Sequence, residues 1–107
     1  MQYKTTIARD NGTTLKIAIV TTNMNFHKAD EAPRFILDLR VRKKGGKYEI
    51  PYDRNILNNI ADIDKKREYR MSVVKEYLSE AELKKLKADF LHFLANNAQF
   101  MASAVYW

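Results

Sequence analysis

Cysteine is absent from the 107 residues. That excludes disulfide bridges, thiolate metal sites and thiol catalysis, and a cytoplasmic setting is expected. Proline occurs twice and glycine three times, and neither occurs after Pro51. The C-terminal half therefore holds no strong helix breaker. The opening MQYKTTIARD has no apolar run, so no signal peptide is expected. Phe90–Trp107 is free of Asp, Glu, Lys and Arg, but Asn96, Asn97 and Gln99 sit near its centre. Their amides would be costly in a bilayer, so a buried helix or a partner-facing surface is expected and no membrane contact.

Signatures of catalysis are also missing. No H-E-x-x-H pair, phosphate-cradling glycine loop, G-x-S-x-G elbow or dinucleotide fingerprint occurs. His27 and His92 fall in different segments, and neither has partners at a recognisable spacing for metal binding or general-base work. Asp62 and Asp64 lie two residues apart at a helix boundary, where they are expected to cap or solvate rather than form an acid pair. No enzyme, cofactor or metal is expected.

What is present describes one α+β domain over 1–107, with hairpins in 1–52 and helices in 53–107. Residues 3–9 and 13–22 are rich in Thr, Ile and Val and flank Asp10-Asn11-Gly12. A two-residue Asn-Gly loop would set Ala8, Thr6 and Lys4 against Leu15, Ile17 and Ile19, wasting the apolar face. A three-residue loop with Gly12 in the left-handed position pairs Ile7 with Leu15, Thr5 with Ile17 and Tyr3 with Ile19. One face is then apolar, so this register is expected.

A second hairpin is expected from Arg34–Arg42 and Lys47–Tyr52 around Lys43-Lys44-Gly45-Gly46. Phe35, Leu37, Leu39 and Val41 alternate with Ile36, Asp38, Arg40 and Arg42. A short loop would set Val41 opposite Tyr48, Arg40 opposite Glu49, Leu39 opposite Ile50 and Arg42 opposite Lys47. The expected sheet has about four strands, with 67–74 as a fifth in the alternative reading of that segment. The connection between the hairpins contains Phe26, expected to anchor it to the core.

In the second half, Asp53 is a candidate N-cap for a helix over 54–62. Residues 64–78 carry Tyr69, Val73 and Tyr77 on one helical face and Met71, Val74 and Leu78 on another, and a helix is the preferred reading. Ser79-Glu80-Ala81-Glu82 matches a capping box. Leu83, Leu86, Phe90, Leu94 and Met101 follow at helical spacing, so this helix is expected to lie across the apolar face of the sheet.

Net charge is +6. Residues 1–53 hold ten Lys and Arg against six Asp and Glu, and 54–107 hold nine against seven. The densest local cluster is Arg40, Arg42, Lys43, Lys44 and Lys47 beside Tyr48, with Arg34 and Lys16 candidates on the same side. Cations on a β ribbon beside an aromatic ring suit phosphate contact and stacking on a base. The bland alternative is a solubilising turn whose charges discourage edge aggregation.

The second feature is the uncharged tail, with Phe100, Met101, Val105, Tyr106 and Trp107. It is expected to dock on its own sheet, seal a homodimer, or be offered to another protein. Two functional readings follow. One is a nucleic-acid-binding accessory domain using the basic cluster. The other is a protein-binding inhibitor or adaptor, engaging an acidic or nucleic-acid-bound complex through its basic tip or its tail. The layout of strands then helix is shared by small single-strand-binding domains and by small phage and mobile-element proteins that block a host complex, an analogy of fold alone.

Overall fold

The computed structural model describes residues 2–21 and 35–97. Three strands run β1 (Gln2–Ala8), β2 (Thr14–Thr21) and β3 (Phe35–Arg42), followed by helices α1 (Arg54–Asn59), α2 (Ile63–Tyr77) and α3 (Glu80–Asn97). The sheet is antiparallel in the order β1-β2-β3.

The first hairpin has the register expected of it: Tyr3 faces Ile19, Thr5 faces Ile17 and Ile7 faces Leu15. Its loop closes when the Arg9 amide donates to the Thr13 carbonyl at 2.7 Å and the Gly12 amide donates to the Arg9 carbonyl at 3.0 Å. Gly12 has φ +89°, the left-handed conformation this loop requires and side chains resist. β3 then adds to β2 with Leu39 opposite Ile17 and Leu37 opposite Ile19. Period-two alternation thus collects Leu15, Ile17, Ile19, Phe35, Leu37 and Leu39 on one face, all buried.

The four-strand expectation needs correction. After Arg42 the chain turns at Lys43–Gly46, where the Gly46 amide donates to the Lys43 carbonyl and Gly45 takes φ +78°. The returning segment contributes a single bridge, Glu49 to Val41, and no strand. Two causes are visible. Pro51 has no amide hydrogen with which to continue a ladder. Tyr52 turns inward, 6% exposed, and its hydroxyl accepts the outward amide of Leu39 at 3.0 Å. A side chain thus takes the hydrogen bond that a fourth strand would have made. Burial pushes the Tyr52 phenol up to about 12.

The bridge also corrects the expected pairing by one residue. Glu49, not Tyr48, stands opposite Val41. The expected partnership of Arg40 with Glu49 is replaced by an ion pair between Arg40 and Asp38 on the same strand, at 3.7 Å.

Asp53 caps α1 by accepting the amides of Asn55 and Ile56, and its own amide donates to the Tyr69 hydroxyl at 2.8 Å. Residues 63–77 form a helix, so the fifth-strand alternative falls. Asp62 is its N-cap, and the amides of Lys65 and Asp64 hold its carboxyl below the usual carboxylate range. The capping box of α3 forms as expected: the Glu82 amide donates to the Ser79 hydroxyl and the Ser79 amide to the Glu82 carboxylate.

Two helices, rather than α3 alone, close the apolar face. Val73, Val74 and Leu78 near the end of α2 join Leu86, Phe90 and Leu94 of α3 in one cluster with the strand residues. Phe90 meets Phe35 edge-on at 4.7 Å and Tyr3 at 5.8 Å, while Phe93 meets Tyr3 at 5.2 Å.

A clamp absent from the sequence reading ties the two halves together. The Arg9 guanidinium donates to both Glu82 carboxylate oxygens, at 2.6 and 2.8 Å, and to the Tyr77 carbonyl at 2.9 Å. The base of the first turn is thereby fixed to the junction of α2 and α3. Arg9 and the Ser79 amide together hold Glu82 down at about 2.

Candidate nucleic-acid interface

Alternation leaves the second face of the sheet polar toward the turn, with Val20 and Ile36 paired at its far end, and the register sorts its side chains into rows. Thr6, Lys16 and Arg40 form one row across the three strands, and Ala8, Thr14 and Arg42 form the next toward the turn. Lys4, Ala18 and Asp38 lie on the other side of the Lys16 row. Lys4, Lys16, Arg40 and Arg42 are exposed. The face carries a shallow concavity of about 240 Å³, bordered by Gln2, Lys4, Lys16, Ala18, Asp38 and Arg40.

The one-residue shift after Arg42 has its largest effect here. With Glu49 opposite Val41, Tyr48 falls opposite Arg42 and shares its face of the ribbon. Its ring lies 4.9 Å from the Arg42 guanidinium carbon and 5.4 Å from Lys16 Nζ, both within cation–π range. Tyr48 is half-buried and belongs to the open face, not to the core beside Val41.

The turn extends the positive surface beyond the strands. Lys43, Lys44 and Lys47 are all exposed. Lys44 packs its aliphatic stem over Gly12, where an added Cβ would stand 2.8 Å from Lys44 Cβ. The two turns therefore sit side by side at one end of the sheet. From Lys4 to Lys47 the open face and turn present seven cations, against the Asp38 carboxylate on that face, while Glu49 shares the face of Val41.

Of the residues expected to form the site, the structure gathers Arg40, Arg42, Lys43, Lys44, Lys47 and Tyr48 at the β3 end of this face. Lys16 joins them directly, through its pairing with Arg40. Lys4 was missed by the sequence reading, although the first-hairpin register already placed it on the face of Lys16. Arg34 lies outside the described residues, as do the tail residues Phe100, Met101, Val105, Tyr106 and Trp107. Phe26 and His27 fall outside them as well. His92 is exposed on α3.

The chemistry open to this surface is charge-assisted hydrogen bonding to anionic oxygens, which Arg does in a bidentate fork and Lys as a point charge. Among the described residues, no group of His, Asp or Glu side chains could hold a metal ion. No helix among them is long and apolar enough to cross a membrane. No known protein family, curated protein or solved structure matches this chain.

Proposed function

We propose that this is a non-enzymatic nucleic-acid-binding protein, acting through the open face of its sheet and the adjoining lysine turn. The observation that carries this is the segregation of the sheet's two faces. The helices close the apolar face, while Lys4, Lys16, Arg40 and Arg42 converge on the other and run into Lys43, Lys44 and Lys47. Polyanion binding to such a surface releases counterions and weakens with salt. Four phosphate contacts to a single strand imply a log–log slope of roughly −3. Fluorescence anisotropy with short labelled oligonucleotides, from low to moderate salt, measures it. Absent or salt-insensitive binding to single and double strands would overturn the reading.

A second reading has its own support. Beside the turn, Val41, Ile50, Pro51 and Tyr77 border a concavity of about 300 Å³ with Lys43 and Lys47 at its margin. Ile50 and Tyr77 are each 37% exposed. An inhibitor or adaptor of an acidic protein surface would use such an apolar patch with a basic border. A partner that binds the intact chain, loses affinity on Ile50→Glu and tolerates Arg42→Glu would favour this reading over the first.

A further inference from the structure

A basic sheet face can hold a nucleic acid in two ways: by stacking its bases on aromatic rings, or by gripping its phosphates. Base stacking needs an uncovered π-face. The side chains directed away from the helices on β1, β2 and β3 include no Phe, Tyr or Trp, because Tyr3 and Phe35 lie on the core side. Among the described residues, the ring this surface does possess, Tyr48, already has cations over it: the Arg42 guanidinium at 4.9 Å and Lys16 Nζ at 5.4 Å. A base stacking on the part of the ring that carries those cations would have to displace them.

The same contacts prepare the alternative. A guanidinium held over an aromatic ring keeps the N–H groups at its edge free to fork onto phosphate oxygens. Lys16 is also the register partner of Arg40, on strands about 4.8 Å apart. Arg42 stands two residues along the strand from Arg40, and so on the same face. The ring of Tyr48 thereby draws Lys16 and Arg42 together beside Arg40, at a spacing suited to neighbouring phosphates rather than to a single base edge.

Resting on the nucleic-acid reading above, we infer that this site takes the phosphodiester backbone of its ligand without reading or stacking the bases. Tyr48 is a positioning residue that holds Lys16 and Arg42 for it.

The test uses the full chain and three labelled single strands of equal length: oligothymidylate, a mixed sequence and an abasic phosphodiester, compared by anisotropy at low salt. All three are expected to bind within about twofold of one another, since a stacked base would itself contribute about fivefold or more. Tyr48→Phe, which keeps the ring, is expected to bind like the parent. Tyr48→Leu is expected to weaken all three strands by a similar factor and to flatten the salt slope, with the circular dichroism spectrum unchanged. A loss of about fivefold or more confined to the abasic strand overturns the inference while leaving nucleic-acid binding intact. So does a Tyr48→Leu defect seen only with base-bearing strands. Failure of all three strands to bind overturns the nucleic-acid reading, and this inference falls with it.

Discussion

The two faces of the sheet are made by the same three strands, residue by alternate residue, yet they have opposite chemistry. On one face Ile17, Ile19 and Leu39 are wholly buried under α2 and α3. On the other, their sequence neighbours Lys16 and Arg40 are exposed beside one another. The core face is built by burial, which tolerates little change in volume. The open face is built by charge, which tolerates changes of shape and fails when its sign is reversed. A substitution's effect should therefore depend on whether its position is odd or even along a strand, more than on where it lies from end to end.

The widest separation is expected between a core substitution and its counterpart on the open face. Phe90→Ala removes the ring that meets Phe35 and Tyr3, and should cost about 3–5 kcal/mol in chemical denaturation. Lys16→Ala should stay within about 0.5 kcal/mol of the parent. Equal losses from the two would break the comparison.

Binding should show the reverse order. Arg40→Glu with Arg42→Glu replaces two cations by two anions. It is expected to weaken oligonucleotide binding by about tenfold or more at low salt, while the denaturation midpoint moves little. Anisotropy and denaturation run on one preparation would show whether the faces are separable.

A smaller effect probes the end of the sheet where the two turns meet. Gly12→Ala must adopt φ +89° with a Cβ pressed against Lys44. It should destabilise by about 1–2 kcal/mol. Because Lys44 belongs to the basic turn, the same substitution should lower affinity slightly, which sharpens the claim that turn and face act together.

The smallest expected effect concerns the clamp. Glu82 is held at about 2, below an ordinary value of 4.5, first by Arg9 and then by the Ser79 amide. A carboxylate with a depressed native pKa adds stability above its unfolded value, and that stability is lost as pH falls from about 4.5 toward 2. Both side chains are about 30% exposed, so solvent screening leaves roughly 1 kcal/mol. Thermal melts should show an acid-labile component in this window, and Glu82→Gln should remove it.

Much of this was legible in the sequence, for local reasons. The first-hairpin register followed from asking which loop length keeps Ile7, Leu15 and Ile17 on one face. The helix starts at Asp53 and Ser79 follow from side chains that reach amides two or three residues ahead, whereas the helix expected over 54–62 ends at Asn59 and Asp62 caps the next one. The fourth strand failed because its outcome depended on a distant choice, the Tyr52 hydroxyl taking the Leu39 amide. That choice shifted the return segment by one residue and carried Tyr48 to the opposite face. Clustering of cations along the chain pointed to Arg40–Lys47, whereas Lys4 and Lys16 join the site only through cross-strand pairing. The clamp from Arg9 to Glu82 spans 73 positions and leaves no periodic trace in the sequence.

That span has a kinetic meaning. The first hairpin and the capping box are local structures of the kind that form within microseconds. The Arg9–Glu82 bond joins residues 73 positions apart, so it closes only when hairpin and helix have already met. Removing it with Arg9→Ala should therefore hasten unfolding and leave the folding rate nearly unchanged, as the two arms of a stopped-flow chevron would report. The clamp is then a latch on the finished fold: it sets how long the native state lasts rather than how quickly it is reached.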